Sequence, residues 1–184
     1  MTNGVGFIGL GVMGEPICRN LIAKSGCAVT AFDLDAAPLA RIEAAGGHAA
    51  TSARDVAEAA DIVFVCLPSG EHVARVIQGG GLIAGARKDQ VFVDLGTSPV
   101  ALTRDLARAL AAKGAVFADA PIARTREAAQ TGTLSVMVGA GRTTFEQLEP
   151  LIRCFASDIT HCGDVGMGQI AKIMNNMVLF QTVN

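Results

Sequence analysis

Short apolar runs alternate with alanine-rich stretches of helical spacing along most of the chain. Apolar runs at residues 5–9, 28–32, 61–67 and 91–95 are followed by helical stretches at residues 16–23, 37–45, 71–77 and 100–113. This alternation of strand and helix predicts a parallel sheet with helices on both faces. The run IVFVC is continuously apolar, and VFVDL is apolar except for Asp94, as is typical of strands buried on both sides.

The second half of the chain continues this pattern and then ends in a helix. A strand at residues 115–121 leads into a polar connection, followed by a strand at 133–140, a helix at 145–155 and a short strand near 158–162. We therefore predict an α/β, doubly wound parallel (Rossmann) domain over residues 1–163. Residues 164–184 are predicted to begin a long inter-domain helix.

Composition and charge exclude several classes of protein. The 184 residues carry a net charge of −2 without a basic run, which argues against nucleic-acid binding. No stretch reaches the roughly 18 to 20 apolar residues of a membrane span, and the N-terminus lacks the features of a signal peptide, so we expect a cytoplasmic protein. The five cysteines lack the close spacing of a metal or redox site, and we predict no metal.

A glycine-rich motif lies between the first predicted strand and helix. Gly9, Gly11 and Gly14 form G-x-G-x-x-G, in which the turn and the following helix N-terminus bind a pyrophosphate. We assign cofactor contacts to these glycines and to the intervening Leu10, Val12 and Met13. The next strand ends in Asp33, whose carboxylate can accept the ribose hydroxyls and would repel a 2′-phosphate. The expected cofactor is therefore NAD in preference to NADP.

Several further segments strengthen this interpretation. The segment FIGLGVMGEPICRNL (7–21) resembles the opening signature of the beta-hydroxyacid dehydrogenases, a family that includes 3-hydroxyisobutyrate dehydrogenase, tartronate semialdehyde reductase and 6-phosphogluconate dehydrogenase. The similarity continues through CLPSGEHVARVI (66–77), VDLGTSP (93–99), DAPIARTREAAQTGTLSVMVGA (119–140) and GMGQIAKIMNN (166–176). Motifs that occur in the family's order are far more specific than any one of them alone.

The resemblance implies further cofactor contacts. Leu67 and Pro68 are expected to line the nicotinamide side of the cofactor. The segment VDLGTSP is one residue shorter than its counterpart in the family. We assign a cofactor contact to Thr97, with Gly96 and Ser98 as open alternatives.

The final predicted helix carries candidate catalytic groups. Lys172, Asn175 and Asn176 fall at i, i+3 and i+4, and therefore on one face of a helix. By resemblance, Lys172 is the general acid/base, Asn176 positions the lysine or the substrate, and Asn175 is a candidate substrate contact. A lysine whose pKa is depressed by a partly apolar site can exchange the required proton.

The predicted substrate loop departs from the family pattern. Ala123, Arg124 and Thr125 stand where related proteins commonly have Ser-Gly-Gly, and the loop resembles that of sulfolactaldehyde reductases. Arginine suits bidentate recognition of an oxyanion, so these three residues are candidate contacts to an anionic substrate. Two alternatives stay open, because Arg124 can point to solvent and Arg126 can bind the anion instead.

These observations predict an oxidoreductase domain that transfers hydride between NAD and a small 3-hydroxy acid or its semialdehyde. By resemblance, a homo-oligomer and an all-helical C-terminal domain are expected, and the chain stops before that domain. A cofactor-binding fragment without activity is the alternative. An imine-reducing relative is less well supported, because such enzymes usually replace the lysine that is present here.

Overall fold

The computed structural model describes residues 4–79 and 81–182, with side chains described as far as Val178. Within these residues the strands are β1 (Gly4–Ile8), β2 (Ala28–Phe32), β3 (His48–Ala49), β4 (Ile62–Val65), β5 (Val91–Asp94), β6 (Val116–Asp119), β7 (Ile122–Ala123), β8 (Leu134–Gly139) and β9 (Ala156–Gly163). The α-helices are α1 (Gly14–Lys24), α2 (Ala36–Ala44), α3 (Ala53–Ala59), α4 (Gly70–Ala74), α5 (Leu82–Gly85), α6 (Val100–Ala111), α7 (Arg126–Thr131), α8 (Arg142–Ile152) and α9 (Met167–Thr182). A π-helical turn (Arg75–Gly79) follows α4.

The strands form a single twisted sheet in the order β3-β2-β1-β4-β5-β6-β8-β7, with β9 pairing with β8. The first six strands in sequence are parallel to one another. The chain begins in the middle of the sheet, at β1, and builds outward first on one side and then on the other. This order places a crevice at the carboxyl ends of β1, β2 and β4, where doubly wound folds bind ligands.

Apolar side chains cover both faces of the central strands. All residues of β1, β4 and β5 are buried, as the continuous apolar runs predicted. Phe64 belongs to the hydrophobic cluster on one face of the sheet, and its neighbour Val63 belongs to the cluster on the other face. Because successive side chains of a strand point to opposite faces, each central strand contributes to the hydrophobic clusters on both faces of the sheet.

The predicted α/β fold is confirmed, with corrections at its far edge. The predicted polar connection after β6 contains both the two-residue strand β7 and the helix α7. β8 runs antiparallel to β6 and to β7, so the sheet is mixed at this edge. The two-residue strands β3 and β7 are too short to show a hydrophobic period, which is why sequence patterning missed them.

The final helix begins close to the predicted position. β9 ends at Gly163, and α9 starts at Met167 after a turn in which Gly166 has a φ of +93°. The division of the chain after residue 163 into two domains stays a prediction.

Candidate functional site

The glycine-rich turn joins β1 to α1 at the carboxyl edge of the sheet. Gly9 has a φ of +96°, and a Cβ atom there would lie 2.3 Å from the Cys66 carbonyl oxygen. A Cβ at Gly14 would lie 1.9 Å from the Gly9 carbonyl oxygen. At Gly11, by contrast, none of the described atoms lies within 4 Å of an added Cβ. The first and third glycines are therefore required by packing, whereas the second faces open space into which a ligand fits.

The N-terminus of α1 is available to an anion. Its N-cap residue is Met13, and within the described chain no side chain forms a capping hydrogen bond there. The first N–H groups of a helix lack intrahelical partners and carry a partial positive charge. The turn therefore presents amide donors beside the open position at Gly11, an arrangement that fits a pyrophosphate.

Asp33 connects the glycine-rich turn to the end of β2. One carboxylate oxygen accepts the Leu10 N–H at 2.5 Å, and the other accepts the Asp35 N–H at 2.9 Å. A carboxylate offers about four lone-pair sites, so two bonds leave acceptor capacity for ribose hydroxyls. The position predicted from spacing thus holds an oriented carboxylate at the edge of the turn.

These groups share a cavity of about 500 Å³ at the switch point of the sheet. Eight predicted cofactor residues line it: Gly9, Gly11, Val12, Met13, Gly14, Asp33, Leu67 and Pro68. Leu10 donates its backbone N–H to Asp33 but lines an adjoining cleft, which shares Gly11 and Val12 with this cavity. Thr97 is exposed in the loop after β5 and does not line this cavity.

Two polar residues in the cavity were not predicted. His72 and Arg75 line the cavity together with Val76. The π-helical turn that begins at Arg75 is a feature frequently found at functional sites. These three residues are spaced i, i+3, i+4 and therefore share one face of a helix. That pattern, shortly after Leu67 and Pro68, could have identified them from the sequence.

The thiol of Cys66 also lines the cavity but does not supply a charge. Burial raises its pKa to about 12, with a smaller contribution from the negative charge of Asp94. Because a neutral thiol is a poor nucleophile and a poor metal ligand, Cys66 acts as a small apolar wall residue.

The final helix is oriented opposite to an ordinary amphipathic helix. Lys172, Asn175 and Asn176 are partly buried. The large apolar side chains of Ile173, Met174, Met177 and Val178 are 42% to 62% exposed. The polar stripe predicted from the sequence is therefore turned toward the domain, and the apolar side chains beyond the partly buried Ile170 point outward. Burial lowers the pKa of the Lys172 ammonium group below its ordinary value.

Two buried carboxyl groups lie beneath the start of α9. Asp94 ends β5 and Asp119 ends β6, and the two residues are partners in the sheet register. Both are 0% exposed. Burial raises the pKa of each carboxyl group, while hydrogen bonds to the charged form partly offset that effect. The Asp119 carboxylate accepts the N–H groups of Gly166 and Gln169 at 2.6 and 2.8 Å.

The side chain of Arg124 is bound within the protein. Its guanidinium group donates to the Thr133 carbonyl oxygen at 2.6 Å and to Ser157 Oγ at 3.1 Å, and it also pairs with Asp158. Arg124 has a φ of +85°, a conformation that favours glycine. The resemblance implies a glycine at this position, and the backbone of Arg124 has a conformation that favours glycine. Its side chain is bound by other residues of the protein.

The residues next to Arg124 in the sequence have different environments in the structure. Ala123 pairs with Ser135 of β8, and the Thr125 hydroxyl caps α7 by accepting the Ala128 N–H at 3.5 Å. Arg126 lines a second cleft of about 760 Å³ between α1, α2 and α7. This cleft adjoins the cavity that holds Asp33, because Gly11 and Val12 line both. The second open alternative, an anion bound by Arg126, concerns this adjoining cleft.

Among the described residues, no group of three or more His, Cys, Asp or Glu side chains could hold a metal ion. Over the same residues, no helix is both long enough and apolar enough to cross a membrane.

The strand order, the open glycine-rich turn and the carboxylate at the end of β2 define a dinucleotide-binding domain. Residues 4–163 match the family described as the NAD binding domain of 6-phosphogluconate dehydrogenase. The chain belongs to this family, and the predicted resemblance to the beta-hydroxyacid dehydrogenases and the NAD class of cofactor are confirmed. The resemblance of the substrate loop to that of sulfolactaldehyde reductases stays a prediction.

Individual relatives agree with this assignment. The chain is 40% identical over 176 residues to 2-(hydroxymethyl)glutarate dehydrogenase of Eubacterium barkeri, a match that covers 95% of this chain and 58% of that protein. The structure of Mycobacterium tuberculosis 3-hydroxyisobutyrate dehydrogenase with L-serine superimposes with a TM-score of 0.91 and 35% identity, covering 97% of this chain and 60% of that one. A further solved structure, a complex with NADP+ and 2-OPP, gives a TM-score of 0.88 and 31% identity, covering 95% of this chain and 62% of that one. The chain thus spans about three fifths of the length of these proteins.

Proposed function

We propose that this chain is the cofactor-binding part of an oxidoreductase that transfers a hydride between NAD and a small 3-hydroxy acid or its semialdehyde. One observation carries the proposal: α9 turns Lys172, Asn175 and Asn176 toward the domain and exposes its large apolar side chains. A helix packed for stability alone shows the reverse orientation. The names of the relatives, which are dehydrogenases of hydroxy acids, support the same activity.

The proposed role of Lys172 is proton exchange at the substrate oxygen. When bound, the nicotinamide supplies or accepts the hydride. In the reductive direction the Lys172 Nζ gives a proton to the oxygen as the carbonyl becomes an alkoxide, and in the oxidative direction the neutral amine takes it back. Burial already lowers the pKa of Lys172, which favours this exchange closer to neutral pH. Asn176 lies one helical turn further on, where it can orient the lysine or the substrate.

The cofactor is proposed to lie across the glycine-rich turn. Its pyrophosphate would fill the open space at Gly11 beside the N-terminus of α1, and its adenine ribose would meet Asp33. Leu67 and Pro68 would contact the nicotinamide half, and Thr97 would reach it from the exposed loop after β5.

Preference for NAD over NADP rests on two opposed side chains in one cavity. Asp33 repels a 2′-phosphate, whereas the Arg75 guanidinium, brought in from the π-helical turn, attracts it. Because Asp33 is fixed by two backbone amides, we expect its carboxylate to dominate and NADH to bind more tightly than NADPH.

The variant Arg75→Ala tests this balance. We expect it to weaken NADPH binding by about tenfold, a loss of roughly 1.4 kcal/mol, and to weaken NADH binding by less, because NADPH carries the additional phosphate charge. Fluorescence titration with both cofactors measures the two dissociation constants. An equal loss for both cofactors would show that Arg75 contacts a part that they share.

The substrate is proposed to be a small anion held by backbone amides around Ala123 and Thr125. The side chain of Arg124 is a poorer candidate than the sequence suggested, because it already serves three acceptors within the protein. A second candidate function is cofactor binding without turnover. A homo-oligomer and a cytoplasmic location stay predictions.

An NADH titration tests the cofactor site directly. The chain contains no Trp and no Tyr, so fluorescence of bound NADH is observed with little protein background. We expect Asp33→Ala to lose at least about tenfold in NADH affinity, since it removes the ribose acceptor and the bond to Leu10. Asp35→Ala is the matched control, because Asp35 caps α2 by accepting the Ala37 N–H and does not line the cavity.

The outcomes separate the two candidate functions. Failure of the unaltered chain to bind NADH would contradict both. Binding together with turnover of semialdehydes that Lys172→Ala abolishes would establish the oxidoreductase. NADH binding without any turnover would support the second candidate, a cofactor-binding module.

A further inference from the structure

A chain of buried polar groups links the start of α9 to the ends of two central strands. Asp94, Asp119 and Gln169 are each 0% exposed. They are far apart in sequence, and their hydrogen bonds are the contacts that join the helix carrying Lys172 to the carboxyl edge of the sheet. Buried polar groups with satisfied partners rigidify the elements that they connect.

Asp119 fixes the point at which α9 begins. Its carboxylate accepts the N–H groups of Gly166 and Gln169, the role of an N-cap supplied from another element. A Cβ at Gly168 would lie 2.3 Å from the Met137 carbonyl oxygen and 2.8 Å from Asp119 Oδ2. The first turn of α9 therefore rests directly on β8 and on this carboxylate, with no room for a side chain.

The Gln169 side chain then extends from α9 to the loop after β5. Its Oε1 atom accepts the Ser98 N–H at 3.1 Å, and its Nε2 group donates to the Gly96 carbonyl oxygen at 2.9 Å. From the other side, Asp94 accepts the Gly96 N–H at 2.8 Å and the Ser98 hydroxyl at 2.6 Å. The loop from Gly96 to Ser98 is thus held between a strand end and the helix.

Lys172 follows Gln169 by three residues, which places it one turn further along α9. We infer that Gln169 is a positioning residue whose two side-chain hydrogen bonds set the distance between the Lys172 turn and the Gly96–Ser98 loop. The inference rests on the proposed function, in which that loop contacts the nicotinamide half of the cofactor. Reacting groups must be held to about 1 Å, because misplacement of that size can cost on the order of 100-fold in rate.

A matched pair of variants separates positioning from general stability. Gln169→Met keeps the size of the side chain and removes both hydrogen bonds. Gln90→Met removes three hydrogen bonds of a buried glutamine at the opposite end of β5. The Gln90 amide donates to the Ala57 and Ala60 carbonyl oxygens at 2.7 and 2.8 Å, and its Oε1 atom accepts the Arg87 N–H at 3.0 Å. Both variants are expected to lower the melting temperature, because each leaves buried backbone groups without a partner.

The decisive readout is the NMR titration of Lys172 in protein labelled at the lysine ε-carbons. The chain has four lysines, so the Lys172 signal can be assigned by its loss in Lys172→Arg. We expect Gln169→Met to raise the Lys172 titration midpoint toward the ordinary value and to abolish the shift of its signal on NADH addition. Gln90→Met should leave both properties as in the unaltered chain.

Each result has a defined meaning. Unchanged titration and NADH response in Gln169→Met, or equal changes in both variants, would overturn the inference. Failure of the unaltered chain to bind NADH would refute the proposed function alone, because the titration without cofactor still reports whether Gln169 sets the environment of Lys172. Should Gln169→Met not fold, Gln169→Asn, which keeps the amide but is too short to reach the loop, carries the same test.

Discussion

At the scale of single residues, the three glycines of the turn have different physical reasons to be glycine. Gly9 and Gly14 avoid close contact with backbone oxygens, and Gly11 keeps open a space that the protein itself does not fill. The motif spacing predicted all three positions. It could not show which of them serve the fold and which serves the ligand, because that depends on atoms of Cys66, just after β4, and of the turn itself.

This difference predicts opposite behaviour for two alanine variants. Gly11→Ala should change the free energy of unfolding by less than about 0.5 kcal/mol, while NADH affinity falls because the new methyl group occupies the phosphate approach. Gly14→Ala should lose on the order of 1–3 kcal/mol or more of stability, since its methyl group overlaps the Gly9 carbonyl oxygen. Urea unfolding and NADH titration of both proteins measure the two effects. A strongly destabilised Gly11→Ala would show that the open space is required by the fold.

Lys172 gives a residue-scale prediction about pH. Its pKa in the folded chain is lowered from 10.5 by burial, so between the folded and unfolded pKa values the unfolded chain binds more protons. The free energy of unfolding therefore rises with pH through that window, and below it the charged ammonium costs stability. Lys172→Met removes this contribution.

The measurement compares the stability of Lys172→Met with that of the unaltered chain at pH 7 and near pH 10. We expect the variant to be the more stable protein at pH 7 and its advantage to shrink as the pH rises. Other titrating groups cancel in the difference between the two proteins. A constant difference across the range would mean that Lys172 is not desolvated.

At the scale of elements, the sequence predicted the strands that are buried along their whole length. It missed the short elements that depend on local contacts of individual residues. β4 and β5 carry uninterrupted apolar runs and were predicted closely. β7 and α7 lie in a polar stretch whose structure depends on the Arg124 backbone and the Thr125 cap. The contact between Gln169 and the loop after β5 joins residues about seventy positions apart, so no local pattern indicates it.

The corner between β7 and α7 offers a test of the role of Arg124. Arg124→Ala loses the exposed polar contacts and keeps the unfavourable left-handed backbone, whereas Arg124→Gly loses the same contacts and relieves the backbone. We expect the glycine variant to be more stable than the alanine variant by about 1 kcal/mol. Thermal unfolding of the two proteins measures this difference.

The same pair reports on substrate binding. If the guanidinium is only structural, Arg124→Gly should keep the affinity for small anionic substrates. Arg126→Ala, measured in parallel, tests the alternative that Arg126 binds the anion. Loss of substrate affinity in both Arg124 variants at unchanged NADH affinity would restore the role predicted from sequence.

At the scale of the whole molecule, the inverted orientation of α9 has a consequence for solution behaviour. A helix that turns polar groups inward must show its apolar groups outward, and Met174 and Met177 are 62% and 58% exposed. Exposed contiguous apolar surface promotes association. The helical pattern predicted which residues share a face, but only the packed domain shows that the polar face is the inner one.

We therefore expect this chain to associate through α9 in a concentration-dependent manner. The double variant Met174→Lys and Met177→Lys should shift the chain toward monomer and leave NADH affinity unchanged, because the two side chains point away from the domain. Sedimentation velocity over a range of concentrations gives the distribution of species. The matched control places the same charges on α6, at the exposed positions Ala101 and Ala111. If the control dissociates the protein equally, added charge rather than the α9 face is responsible, and if neither variant changes the distribution, any association uses another surface.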